Sequence, residues 1–137
     1  AIVDHFQHWV YENPNATAKE RKKEWLKLES VYFPSKDYDD LEFFKEGGTW
    51  QQQGHIYHMP FYYIDYSLAQ VCAFQFWIRM QKNKKEAWED YLRLCKAGGS
   101  MSFLDLVKLA NLKSPFDPKV FKEVANKIND WLTENSL

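Results

Sequence analysis

Apolar residues recur at helical spacing from the second position of the chain, where Ile2, Phe6, Trp9 and Val10 fall on one side of a helix. Pro14 closes that helix, because the residue before a proline avoids the helical region. Thr17, followed three residues later by Glu20, forms a capping box and opens a second helix through Trp25, Leu28 and Tyr32 to about Phe33. Residues 34–50 (PSKDYDDLEFFKEGGTW) read as a loop with room for a short helical turn. A long helix is predicted from about Phe61 to Gln81. Trp88, Tyr91, Leu92 and Cys95 mark the next, which stops at Gly98-Gly99. Ser102 with Asp105 caps a helix carrying Phe103, Leu106, Val107 and Ala110. Asp117 before Pro118 is an N-cap with proline at the first helical position, and the final helix is expected to bury Val120, Phe121, Val124, Ile128 and Trp131. No segment alternates with a period of two for long, so the pattern predicts an all-α fold.

Composition narrows the function classes. At 137 residues the chain is the size of one domain, expected as a single all-α piece over residues 1–137 and long enough to bury roughly 70% of its unfolded surface. Eighteen basic residues against nineteen acidic ones give a net charge of -1, which supplies no long-range pull toward nucleic acid or anionic lipid. The longest apolar run, residues 61–80, is interrupted by Asp65, Gln70, Gln75 and Arg79, which argues against a membrane span. Cys72 and Cys95 both lie in apolar helical patterns, and no secretory leader is evident, so reduced, buried thiols in a cytoplasmic protein are expected. A periodicity already in force at residue 2 predicts the C-terminal part of a longer chain. Its first helix would then pack its apolar face on upstream helices, and the chain alone would self-associate through that face.

The chemistry concentrates in QGHIYHMPFYYIDYSLAQ, residues 53–70, with two histidines and four tyrosines. At about 100° per residue, Tyr62, Tyr63, Tyr66, Gln70 and Trp77 share one face of the predicted long helix, while Leu68, Val71 and Cys72 lie toward the other. Two readings stand side by side. The hydroxyls belong to an aromatic core and reach its wet rim, or they line a cleft where a phenol supports a developing oxyanion. His5, His8 and Glu12 share a side of the first helix but lack the H-E-x-x-H spacing of a zinc helix. His55 and His58 are likewise weak as metal ligands, yet suited to hydrogen-bonding a substrate near neutral pH. Neither cysteine has a histidine neighbour that would make it a nucleophile.

Taken together, FQHWVYENP (residues 6–14), Gly47-Gly48 with Trp50, and HIYHMPFYYIDYSLAQ (residues 55–70) resemble the C-terminal part of M3-family oligoendopeptidases of the oligoendopeptidase F type. The likeness continues through AGGSMSFLDLVKLANL, residues 97–112. It implies the helical C-terminal portion of a larger, zincin-like metallopeptidase domain that hydrolyses short peptides in a channel between helical lobes. On that resemblance Tyr66 corresponds to the oxyanion-stabilising tyrosine and His55 to the substrate-contacting histidine. Tyr62 and Tyr63 are both candidates for a second substrate-binding tyrosine, Tyr57 is a further one, and Asp65 orients its neighbours. His5 stands where an acidic residue is expected.

The resemblance also implies that H-E-x-x-H and the downstream glutamate ligand lie upstream of Ala1, with zinc a cofactor of the intact parent. The partners expected are therefore a short peptide substrate and the upstream part of the same polypeptide. The alternative is a stand-alone helical peptide-binding or protein-interaction module without catalysis. The 137-residue chain by itself is expected to hold no stoichiometric zinc and to hydrolyse no peptide, because a catalytic zinc needs about three protein ligands and an open position. Elemental analysis finding one tightly held zinc per chain would overturn this and return His5 and His8 as ligands.

Overall fold

The protein is described by a computed structural model covering residues 1–135. Among the described residues the regular structure is helical throughout: α1 (Ile2–Glu12), α2 (Ala18–Tyr32), α3 (Glu42–Lys45), α4 (Gly54–His58), α5 (Ile64–Lys82), α6 (Lys84–Ala97), α7 (Phe103–Leu109) and α8 (Pro118–Asn135), with a 3₁₀ turn at Thr49–Gln52. The chain is all-α. It divides into two compact units, Ala1–Ser67 and the residues from Leu68 onward. No described helix is long and apolar enough to cross a membrane.

In the first unit α1 packs on α2. Phe6 is fully buried, with the Trp25 ring edge-on at 5.2 Å and the Trp50 ring tilted at 5.2 Å. Val3 and Leu28 complete the buried cluster, and Trp9, Val10, Ile56 and Tyr63 pack against it. Of the apolar face of α1, Phe6 is covered by α2 and Trp50 of the same unit, while Trp9 and Val10 stay half-buried. The capping box forms as predicted, with the Glu20 amide donating to Thr17 Oγ1 at 3.3 Å and the Thr17 amide to Glu20 Oε2 at 2.7 Å.

The loop after α2 is drawn back onto it. Glu29 is buried, and its carboxylate accepts from Lys36 Nζ at 3.1 Å and from the Tyr38 hydroxyl. Gly47 has a φ of +86°, and a Cβ there would stand 2.3 Å from the Lys22 carbonyl oxygen. Only glycine combines that backbone conformation with so close an approach to a helix.

In the second unit Phe76, Val107, Ala110 and Leu112 form the core, with Cys72 and Leu94 packed against it. Gln75 is buried and spans the turn after α7, donating from Nε2 to the Lys113 carbonyl at 3.0 Å and accepting from the Lys113 amide at 2.9 Å. Asp90, also buried, accepts from Arg79, Arg93 and Asn111, and Arg79 Nη1 reaches the Ala110 carbonyl at 2.9 Å. The predicted caps at Ser102 and Asp117 are present.

Three further expectations change. The long helix begins at Ile64 rather than Phe61, because Phe61 has a φ of +61° and cannot take part in a right-handed helix. In α8, Val120 and Val124 are buried, but Phe121 and Trp131 are exposed. In α6 the hidden residues are Ala87 and Asp90, while Trp88, Tyr91 and Leu92 face outward. Cys95 is exposed too, so only Cys72 matches a partly buried thiol; both are free, and burial pushes the Cys72 thiol pKa up.

The Asp90 cluster carries a pH-dependent part of the stability. The hydrogen bond from Arg79, helped by Asn111 and the Arg93 charge, outweighs burial and holds the Asp90 carboxyl below the ordinary carboxylate range. The folded state therefore favours ionised Asp90. Its contribution is complete above the unfolded pKa of about 3.9 and is lost as the pH falls through the lower folded value. Asp90→Asn removes the buried carboxylate that Arg79 and Arg93 share, leaving Arg79 only the more distant Glu86 at 3.7 Å, and is expected to cost about 3 kcal/mol at pH 7, read as a lower urea midpoint. The gap from wild type should narrow at pH 3.

Candidate functional site

The histidine- and tyrosine-rich stretch lies in the first unit up to Ser67 and is bent sharply in its middle. Only five residues form α4, since Met59 precedes Pro60 and takes extended-side angles of φ -142° and ψ 68°. Phe61 then sits in the left-handed region, and the chain turns through Tyr62 and Tyr63 into α5. The turn closes with the Tyr62 amide donating to the Met59 carbonyl at 3.2 Å and the Asp65 amide to the Tyr62 carbonyl at 3.1 Å.

The bend gathers the rings that the helical period alone would have strung along a face. The His55 ring stacks on Tyr63 with centroids 4.5 Å apart, lies parallel to Tyr62 at 6.3 Å and meets Tyr66 edge-on at 6.4 Å. Tyr66 is in turn edge-on to Tyr62 at 5.6 Å and to Tyr63 at 5.7 Å. Four expected site residues thus form one aromatic cluster. Tyr57 instead stacks on the core residue Trp50 at 6.2 Å, and His58 is exposed at the end of α4.

Exposure separates the tyrosines. Tyr63 is half-buried and packs against the Phe6 core, so its ring serves the fold. Tyr62 is 38% exposed and Tyr66 55% exposed, so both side chains stand at the surface. The remaining members of the expected strip go elsewhere: Gln70 is exposed, and Trp77 belongs to the second unit, where its ring meets Trp131 edge-on at 6.1 Å.

Hydrogen bonding with Tyr62 raises the Tyr66 pKa above the ordinary tyrosine value, and the Asp65 carboxylate adds to the effect. A phenol so held keeps its proton through neutral and mildly alkaline pH and stays a donor. Two linked hydroxyls beside an imidazole can bind a carbonyl or carboxylate oxygen by donation.

The histidines of α1 are engaged separately. His5 Nδ1 lies 3.2 Å from the Tyr32 hydroxyl, whereas His8 Nε2 is 3.7 Å from Asp4 Oδ2 and its ring packs on Phe61. Among the described residues no three histidine, cysteine or carboxylate side chains come together as a metal site.

Sequence reasoning passed over two residues that shape the site. Gln7, fully buried, accepts the Phe61 amide hydrogen on Oε1 at 3.3 Å, and Phe61 itself is the left-handed residue of the bend. The signal for Gln7 is a lone amide side chain inside the apolar stripe Val3, Phe6, Val10.

Comparison with known proteins gives a consistent result. The sequence model of the family described as peptidase family M3 matches residues 1–125. Among solved structures, PZ peptidase A with an inhibitor superposes at a TM-score of 0.91 with 55% identity, over 98% of this chain and 24% of that one. A protein described as an oligoendopeptidase F gives 0.91 and 53%, over 98% and 24%. Another so described, from Bacillus anthracis, gives 0.74 and 46%, over 98% and 21%. The chain therefore spans about a quarter of the length of the structures it matches. No curated protein sequence matches it.

Proposed function

This chain belongs to peptidase family M3, and on that premise we propose that it forms a substrate-binding wall of a zinc-dependent oligoendopeptidase that hydrolyses short peptides. The observation that carries the reading is the cluster of His55, Tyr62 and Tyr66, in which two half-open hydroxyls sit beside an imidazole. Tyr66 is the oxyanion donor. Its phenol keeps its proton at working pH, and its hydroxyl gains most when the scissile carbonyl oxygen takes up charge.

His55 contacts the peptide, its ring fixed by the stack on Tyr63. Of the two tyrosines left open by the sequence, Tyr62 is the substrate-binding one, because its hydroxyl is exposed and linked to Tyr66 while Tyr63 is turned to the core. Tyr57, exposed beyond Trp50, offers a further peptide contact. Zinc would supply the activation of the attacking water in the parent, held by residues outside those described here. The upstream part of the same polypeptide is accordingly the chain's partner, and the chain alone is inactive.

Tyr66→Phe in the full-length peptidase tests the assignment. Removing a donor made mainly in the transition state is expected to lower kcat by about 10² to 10³-fold, with KM little changed. Zinc content and melting temperature should stay as in wild type. Tyr63→Phe is the control, since its ring alone packs on the core. Turnover near normal in Tyr66→Phe would show that the tyrosines are core and rim only.

A further inference from the structure

We propose that Gln7 is a positioning residue, which holds the Phe61 bend in its left-handed conformation and so sets His55 against Tyr62 and Tyr66. The inference rests on the proposed roles of those three residues, but its own support comes from α1. Gln7 is 1% exposed, one position from the fully buried Phe6, and its Oε1 accepts the Phe61 amide hydrogen at 3.3 Å. That amide hydrogen fixes which way the side-chain amide faces, since the other end carries only donors. Its Nε2 has no acceptor among the described residues.

A buried amide with an unmet donor costs about 1–3 kcal/mol, and an aliphatic side chain of the same size would fill the site without that cost. The bond to Phe61 is what Gln7 contributes there in return. Phe61 needs such support, because a bulky residue at positive φ carries about 1–3 kcal/mol of strain. The same helix grips the Phe61 ring as well, through His8 at 4.9 Å and Tyr11 at 5.0 Å.

Relaxing the bend would let Phe61 enter the right-handed region and α5 extend backward toward Pro60. Tyr62 and Tyr66, four residues apart, would stay neighbours on the extended helix, but α4 and with it His55 would swing away from them. The hold by Gln7 therefore acts on the placing of His55 against the tyrosine pair rather than on substrate directly.

The test uses the full-length peptidase with three variants. Gln7→Met keeps the volume and removes the acceptor. Gln7→Glu keeps an acceptor, because a carboxyl buried in this apolar site takes up a proton. His55→Ala removes the ring that the bend is held to place.

In Gln7→Met, amide hydrogen exchange over residues 59–66 is expected to rise by about tenfold or more, with exchange in α2 unchanged, and Gln7→Glu should restore protection. kcat should fall by about 10- to 100-fold with KM little changed, as for a small misplacement of a reacting group. In a His55→Ala background Gln7→Met should cost little more, since both act through one imidazole.

Unchanged exchange over 59–66, or an equal rise through α1 and α2, overturns the positioning role. So does additive loss in the double variant. If Tyr66→Phe and His55→Ala both keep normal turnover, the catalytic reading fails instead, and the exchange arm alone then decides whether Gln7 holds the bend.

Discussion

The first unit depends on the burial of one side chain. Phe6 lies at zero exposure between the Trp25 and Trp50 rings, which come from the second helix and from the turn before α4. Burying a phenylalanine contributes about 1.5–3 kcal/mol, and here it also fixes the register of α1. With Phe6 in place, Gln7 is carried inward beside it and His8 and Tyr11 come to lie on Phe61. The helix that makes the core is thus also the helix that shapes the aromatic cluster. Packing and the candidate site share a single support.

The tyrosine-rich stretch answers to both readings that its sequence allows. Tyr63 packs on the Phe6 core, while Tyr62, the residue before it, faces outward with Tyr66. Neighbouring side chains take opposite sides because the backbone is bent, not helical, at this point. A continuous helix would also have separated the two by about 100°, but it would have left His55 without a common meeting place for three rings. The bend at Pro60 and Phe61 is what converts a run of aromatic residues into a cluster with a dry side and a wet one.

Much of the fold was legible in the sequence because its signals are local. The capping box of Thr17 and Glu20, the Ser102 cap and the Asp117-Pro118 start each act within three residues, and each is where the pattern placed it. The start of α5 was not legible, since its cause is a contact between Phe61 and Gln7, far apart in the chain. Hydrophobicity misjudged α6 for a different reason. Beside Ala87, the hidden residue there is the charged Asp90, whose burial is made tolerable by Arg79, Arg93 and Asn111, while Trp88, Tyr91 and Leu92 are exposed and Leu94 packs on the core. In the site, the resemblance singled out His55 and the tyrosines. The distinction between Tyr62 and Tyr63 depends on exposure, which a sequence pattern does not carry.

The loop between α2 and the Thr49–Gln52 turn is fastened at both ends. Near its start, the Tyr38 hydroxyl bonds both Glu29 and Thr49, and Lys36 lies over the Tyr38 ring with its ammonium 4.5 Å from the centroid. At its end, Gly47 lies against the Lys22 carbonyl with no space for a side chain. Between these anchors, Asp39 and Asp40 are exposed, with only a local bond from the Asp39 amide to Asp37 Oδ1 at 3.1 Å. Length variation is therefore confined to one place: extra residues inserted at Asp39-Asp40 would extend into solvent and leave both fastenings intact. The same insertion next to Gly47 would displace Trp50 from Phe6, so two sites seven residues apart in one loop differ sharply in what they tolerate.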